Sequence, residues 1–169
     1  MDSSQLKNLQ APLKQKYKDN PSSAVVTLKA SGRLDAPDVS CRVETGRALV
    51  EAGLHPATGG TGLQVCSGDM LLEALAACAG VTLRAVATAL EIPIRGGSVD
   101  VEGDLDFRGT LGVSKETPVG FQTIRLRFEL DTSASEEQLA TLQKLTERYC
   151  VVLQTLRASP ELSVTVRET

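Results

Sequence analysis

The stretch Ser67-Gly68-Asp69-Met70-Leu71-Leu72-Glu73-Ala74-Leu75-Ala76-Ala77-Cys78 decides the fold, because it opens the most apolar helix of the chain. The pattern predicts a helix from Asp69 to Leu90, which Pro93 ends. Apolar side chains occur on nearly all of its sides, so we expect it to lie buried at the centre of the molecule. Seven alanines between positions 74 and 89 make it slim, which lets another element approach the thiol of Cys78 closely.

A second helix carries another cysteine far along the chain. It is predicted to start at Ser135, where Ser135 and Gln138 form a capping box, and to run on until Pro160 stops it. Cys150 lies at the edge of its apolar stripe. If the two helices pack side by side, the sulfur atoms of Cys78 and Cys150 can meet. One thiol can then take up an oxidant, and the other can resolve it as a disulfide.

The remaining segments alternate apolar and polar residues, which predicts strands. They comprise a first meander (Val26 to Leu28, Val39 to Val43 and Ala48 to Glu51), a hairpin (Val99 to Phe107 and Ile124 to Leu130) and a final strand (Leu162 to Val166). Acidic residues on the outer face of one hairpin strand are expected to pair with arginines on the next. The order strands, helix, hairpin, helix, strand predicts an α+β fold with antiparallel sheets and two central helices. We expect one domain over residues 1–169, in which residues 1–23 form an N-terminal arm or a short helix interrupted at Pro12.

Composition excludes several classes of function. The formal charge is −3 with dispersed Lys and Arg, so neither nucleic acid nor a membrane surface is an expected partner. Four cysteines are too few for a secreted disulfide scaffold, and their spacing, with a single histidine, matches no metal site. The N-terminus has no apolar signal core. The expectation is a cytoplasmic protein with reduced thiols.

Peroxide chemistry at Cys78 requires a thiolate. A free thiol has a pKa of about 8.5, and burial in an apolar helix interior raises it further. A cation or fixed hydrogen-bond donors must therefore lower it. An arginine suits this role because its guanidinium stays charged on burial and offers forked donors to sulfur and to a peroxide oxygen.

The quoted stretch resembles the first cysteine motif of the OsmC/Ohr family (osmotically inducible protein C and organic hydroperoxide resistance protein). In that motif an acidic residue and a leucine-rich turn precede a small-residue helix that delivers Cys. The second family motif, a helical Cys followed six residues later by Leu, is matched by Cys150 and Leu156. The segment Pro118-Val119-Gly120-Phe121 and the order of elements are also similar, so that the resemblance covers roughly residues 24–168.

This resemblance implies a function and an assembly. It implies a thiol peroxidase of antioxidant and stress-response type, acting on organic hydroperoxides more than on hydrogen peroxide, with Cys78 as the peroxidatic and Cys150 as the resolving thiol. It also implies an intertwined homodimer with its active sites at the subunit interface. An external dithiol, typically dihydrolipoyl, would recycle the enzyme, and no bound cofactor or metal is needed.

The family arginine comes from the N-terminal strands, where Arg47 is the first choice and Arg33 and Arg42 are alternatives. The family's acidic residue is usually Glu, and Asp69, one methylene shorter, is the nearest match for orienting that arginine. Where the family often has Pro after the second cysteine, this chain has Val151, which lets the helix run on and shifts the sulfur.

Other interpretations remain open at this point. The fold could bind a small apolar ligand or sense redox state without turnover, or it could serve as a structural interaction protein with inert thiols. Cys41 alternates with valines and is expected to fill the core. Cys66 lies in the glycine-rich connector near Asp69 and is a candidate for a third thiol near the site.

Overall fold

The computed structural model describes residues 3–33, 42–43 and 52–168. Within them the helices are Ser3–Asp19 (α1), Ser67–Ala89 (α2), Phe107–Thr110 (α3), Glu136–Tyr149 (α4) and Val151–Arg157 (α5). The strands are Val25–Arg33 (β1), Arg42–Val43 (β2), Ala52–Gly53 (β3), Val65–Cys66 (β4), Ile94–Asp106 (β5) and Phe121–Thr132 (β6). Four of them form an antiparallel sheet in the order β2-β1-β5-β6, while β3 and β4 form a parallel pair. This arrangement confirms the predicted α+β class with an antiparallel sheet.

The predicted hairpin is the longest part of the sheet, and its two faces differ as expected. Val99 and Val101 are fully buried on the core side. On the outer face Glu102 is paired with Arg125 in the ladder, and the Arg125 guanidinium contacts carboxylate oxygens of Glu102 at 3.4 Å and Asp104 at 2.5 Å. The predicted pairing of acidic residues with arginines across the hairpin is confirmed.

Helix α2 lies on the core face of this sheet. Leu72, Leu75, Ala76 and Ala79 are fully buried in one cluster with the hairpin valines. Among the described helices, α2 has the length and apolar composition that could cross a membrane, but it packs here as the core helix of a folded domain. The prediction of a slim helix against the sheet is confirmed, whereas burial on all sides is not, since Leu71 and Val81 on another face are 38% and 39% exposed.

The second predicted helix is divided in two. The capping box is present, since the Ser135 side chain accepts a hydrogen bond from the Gln138 N–H and the Gln138 side chain accepts one from the Ser135 N–H. However, α4 ends at Tyr149 and a new helix begins at Val151, because Cys150 between them has extended backbone angles of φ −70° and ψ 104°. The expectation of one helix from Ser135 towards Pro160 is therefore wrong.

Helix α4 runs antiparallel to α2. Leu142, two turns before the end of α4, packs with Leu83 and Ala87 near the C-terminal end of α2. Cys150, at the end of α4, lies instead in the cluster that holds Cys78 in the middle of α2. Successive turns of α4 therefore follow α2 backwards, from Ala87 towards Cys78.

The two ends of the chain differ from each other. The N-terminal segment is a 17-residue helix, α1, which continues through Pro12 and anchors the buried Tyr17, whose hydroxyl donates to the Ala57 carbonyl at 2.6 Å.

The predicted final strand is wrong: residues 159–168 form no regular element, because they enter no ladder with a described strand. Most of the first meander beyond β1, including Cys41 and the segment 48–51, lies outside the described residues.

Candidate functional site

The structure brings the two predicted cysteines together. Cys78 lies in the middle of α2 and is half-buried, whereas Cys150, at the α4–α5 junction, is fully buried. Both are free thiols, and their side chains are hydrogen-bonded to each other. The S–H of Cys150 donates to the Cys78 sulfur, so the sulfurs are already adjacent in the reduced protein.

The pKa values of the two thiols move in opposite directions. Burial raises the pKa of Cys78, but hydrogen bonds from the Val152 N–H, the Cys150 thiol, the Thr82 hydroxyl and the Val151 N–H outweigh it, so that the pKa lies below its usual value. Burial is also the main cause that raises the pKa of Cys150, to about 11. The hydrogen bond to Cys78 and the charge on Cys78 add to it, and the N–H groups of Leu153 and Val152 offset it in part. Cys78 is thus the sulfur that ionises first, and Cys150 is the one that keeps its proton.

The break at Cys150 supplies two of these donors. The first N–H groups of a helix have no acceptor within that helix. At the start of α5, the Val151 N–H donates to Cys78 instead, and the Val152 N–H is shared between the sulfurs of Cys78 and Cys150. The expectation that Val151 lets the helix run on is wrong, since the helix ends at Cys150 without a proline and its restart aims backbone donors at the neighbouring sulfur.

Thr82 is a functional residue that the sequence reasoning missed. It lies one turn after Cys78 on α2, and its hydroxyl donates to the Cys78 sulfur. The i, i+4 spacing of Cys78 and Thr82 on a helix was the available signal. The donors from Val151 and Val152 left no such signal, because a backbone N–H is present at every residue except proline.

The predicted acidic residue lies away from the sulfurs. Asp69 is in the first turn of α2, nine residues before Cys78, which is about 13 Å along a helix axis. Its pKa is raised by burial, and the neighbouring His55 partly offsets this. Its predicted role of orienting an arginine beside Cys78 stays a prediction.

The candidate arginines stay predictions. Arg33 and Arg42 are paired in the β1–β2 ladder, and Arg47 lies outside the described residues. Among the described residues, the groups that lower the pKa of Cys78 are hydrogen-bond donors rather than arginines.

The surface around Cys78 is apolar. Leu71, Ala74, Cys78, Val81 and Ala85 follow each other at helical spacing along one face of α2, and all but the half-buried Cys78 are exposed. Beside the thiols, Tyr149 is 54% exposed and Val151 is 71% exposed.

A third thiol and a metal site are the two other kinds of chemistry to consider. Cys66, directly before α2, packs against the core cluster twelve residues from Cys78. No group of three or more His, Cys, Asp or Glu side chains that could hold a metal ion occurs among residues 3–33, 42–43 and 52–168.

Comparison with known proteins agrees with this fold. A family model described as OsmC-like protein matches residues 60–165. Among solved structures, an OsmC-like hydroperoxide resistance protein from Jannaschia sp. CCS1 superposes with a TM-score of 0.61 at 15% identity, covering 86% of this chain and 97% of the other. An OsmC-like protein from Mycoplasma pneumoniae superposes with a TM-score of 0.56 at 18% identity, covering 80% and 86%. No curated protein matches the sequence. The matched region contains both cysteines and most of the described sheet, and the chain belongs to the OsmC-like protein family.

Proposed function

We propose that this protein is a thiol peroxidase that reduces organic hydroperoxides through Cys78 and Cys150. The observation that carries the proposal is the hydrogen-bonded pair of thiols whose pKa values move in opposite directions. A peroxidase needs one sulfur that is ionised before peroxide arrives and a second that stays protonated until it is required. The hydroperoxide resistance of the Jannaschia relative, as its name states, is consistent with this role.

The reaction proceeds in two steps. The Cys78 thiolate attacks one oxygen of the hydroperoxide, the O–O bond breaks, and the other oxygen leaves and takes up a proton to form the alcohol. Cys78 is now a sulfenic acid. The Cys150 sulfur then attacks the Cys78 sulfur, the S–O bond breaks, and the hydroxyl leaves as water with the proton from Cys150. An external dithiol, for which dihydrolipoyl is the proposed form, returns the disulfide to two thiols and becomes a disulfide itself.

Arg47 is proposed to polarise the bound peroxide, with Arg33 and Arg42 as alternatives, and Asp69 is proposed to orient that arginine. The hydrogen bonds to Cys78 lower its pKa, and the guanidinium is proposed to stabilise the thiolate further and to donate to the peroxide oxygen. The apolar residues Val81 and Val151 near Cys78 favour an organic substrate over hydrogen peroxide. We place the protein in the cytoplasm, where thiols are kept reduced.

Titration with limiting cumene hydroperoxide tests this function. The wild-type chain should lose two thiols per equivalent of peroxide. Cys78→Ser should lose none, whereas Cys150→Ser should stop at a sulfenic acid that dimedone traps. Cys66→Ser is the matched control and should behave as the wild type. Equal peroxide consumption by Cys78→Ser and the wild type would rule out the proposed mechanism.

A second function is favoured by a groove beside the site. A cavity of about 560 Å³ lies between β6 and α4, lined by apolar side chains that include Leu126, Phe128, Leu130 and Leu142. A protein that binds a small apolar ligand there, or senses oxidation once, would use the same fold without turnover. Sustained peroxide loss with a lipoyl reductant supports the peroxidase, and a single slow oxidation supports the binder or sensor.

We also propose that two copies associate through the apolar face of α2. That face runs from Leu71 to Ala85 with Cys78 in its middle and Val81 39% exposed, and no described element of the chain covers it. A second copy has the same face, so that pairing about a twofold axis buries both at once. The two thiol sites would then lie at the interface of a homodimer.

A further inference from the structure

Thr146 carries a buried hydroxyl without a hydrogen-bond partner among the described residues. Only 1% of Thr146 is exposed, so water at the protein surface does not serve this hydroxyl. An unpartnered hydroxyl in such a place is unfavourable, and natural proteins rarely keep one. The position of Thr146 relative to the two thiols indicates a role for this hydroxyl.

Thr146 lies one turn before Cys150, on the face of α4 that packs against α2. The Cys150 N–H donates to the Thr146 carbonyl at 2.9 Å, which places the two residues on successive turns. Side chains at i and i+4 of a helix are neighbours, so the Thr146 side chain is on the same row as the Cys150 side chain. Because α4 runs antiparallel to α2, this row faces α2 between Cys78 and Leu83.

The two cysteines therefore have matching neighbours. Each has a threonine four residues away on the side of the helix–helix contact: Thr82 for Cys78 and Thr146 for Cys150. The Thr82 hydroxyl already donates to the Cys78 sulfur, whereas the Thr146 hydroxyl is not engaged. The engaged threonine thus serves the sulfur that ionises first, and the idle one is four residues from the sulfur that keeps its proton longer.

We propose that the Thr146 hydroxyl turns to donate a hydrogen bond to the Cys150 sulfur when that sulfur becomes the nucleophile. This inference rests on the peroxidase function proposed above. Once Cys78 carries an oxygen it is neutral, and Cys150 no longer has a thiolate beside it to receive its S–H. Cys150 then loses its proton to the departing oxygen as the S–S bond forms, and water leaves. The negative charge that develops on the Cys150 sulfur in this step is what Thr146 stabilises.

The experiment separates the two steps of one turnover. Thr146→Val has the same shape without the hydroxyl, and Thr146→Ser keeps the hydroxyl. Each variant and the wild type are mixed rapidly with one equivalent of cumene hydroperoxide. Trapping with dimedone and mass spectrometry then follow the sulfenic acid and the disulfide separately.

We expect Thr146→Val to form the sulfenic acid at the wild-type rate, because Thr82 serves Cys78, and to close the disulfide about tenfold more slowly, the effect of one hydrogen bond to a charged atom. Thr146→Ser should close within about threefold of the wild type. The melting temperature of Thr146→Val should equal that of the wild type and so show that this variant is folded, because removing an unpartnered hydroxyl does not lower stability.

Three results would overturn the inference: closure by Thr146→Val at the wild-type rate, equal slowing of both steps, or closure by Thr146→Ser as slow as by Thr146→Val. The first two leave the proposed peroxidase function intact if the wild type itself forms the disulfide. A wild type that consumes no thiols removes both proposals.

Discussion

At the scale of single residues, the reactivity of Cys78 depends on which groups donate to its sulfur. Helix α2 contributes the Thr82 hydroxyl, and the region around Cys150 contributes a thiol and two backbone N–H groups. Each donor stabilises the thiolate and lowers the pKa, against the effect of burial. Side-chain donors can be removed individually, which makes their contributions measurable.

Thr82→Val should raise the pKa of Cys78, because it removes one hydrogen bond that stabilises the thiolate. The rate of alkylation by iodoacetamide, followed against pH in a background of Cys41→Ser and Cys66→Ser, should then show its midpoint at higher pH. Thr82→Ser keeps the hydroxyl and should leave the midpoint in place. An unchanged midpoint in Thr82→Val would mean that the hydroxyl does not stabilise the thiolate.

Asp106 is the buried carboxylate of the described chain, and its stability contribution depends on pH. Its pKa is lowered mainly by the Arg108 side chain, so its ionised form stabilises the fold above the pKa of the unfolded chain, near 4, and this contribution is lost as pH falls through the lower folded value. Asp106→Asn should cost about 2 kcal/mol at pH 7 and less at pH 3, by urea unfolding. Asp131→Asn removes an exposed ion pair with Arg95 and should cost much less, because solvent screens that pair. Similar losses in both variants at pH 7 would contradict the argument.

At the scale of secondary-structure elements, the junction at Cys150 shows where the sequence was sufficient and where it was not. Caps and periodicity predicted the start of α4 and the whole of α2, because Ser135, Gln138 and the alanine-rich pattern act locally. The break after Tyr149 has no local signal, since Val151 is compatible with a continuous helix. The break can be predicted only when the contact between α4 and α2 is already known.

Val151→Pro tests this junction. Val151 is the first residue of α5, where proline is favourable, and Cys150 already has the extended angles that a residue before proline adopts. Stability should therefore be unchanged or higher by up to about 1 kcal/mol. The pKa of Cys78 should rise, because proline lacks the N–H that Val151 donates.

Thiolate absorbance against pH measures the change in pKa, and thermal unfolding measures stability. Val151→Ala keeps the N–H and is the control for the lost side chain. Strong destabilisation by proline would mean that the junction is not the helix start described here.

At the scale of the whole molecule, the predicted fold and thiol pair come from periodicity and from two cysteine motifs. The predicted helix already separates Asp69 from Cys78 by nine residues, about 13 Å along its axis, but the sequence could not predict that His55 packs near Asp69. The final strand failed for a different reason. Leu162, Val164 and Val166 alternate as a strand should, but alternation does not provide a neighbouring strand with which to pair.

Val81→Glu tests the association of two copies. It places a charge in the apolar face of α2 and should shift the protein from twice the 17.9 kDa chain mass to a single chain, as measured by light scattering after gel filtration. Thr141→Glu introduces the same charge at an exposed position of α4 and should remain a dimer. A wild type that is monomeric at micromolar concentration would refute the proposed homodimer.

The exposed tail also bears on how the protein must be handled. The tail exposes three apolar side chains: Leu162 (81%), Val164 (91%) and Val166 (92%). No described strand pairs with the free edge of β6. A tail of this kind can add to the free edge of β6 in the same molecule or in another molecule. If two molecules exchange tails with each other, both tails are paired and the assembly stops at a dimer. If each tail instead pairs with a different molecule, one tail always stays free and the assembly grows into a fibre. Concentrated stocks should therefore thicken or cloud with time, and removal of the tail should lengthen their shelf life.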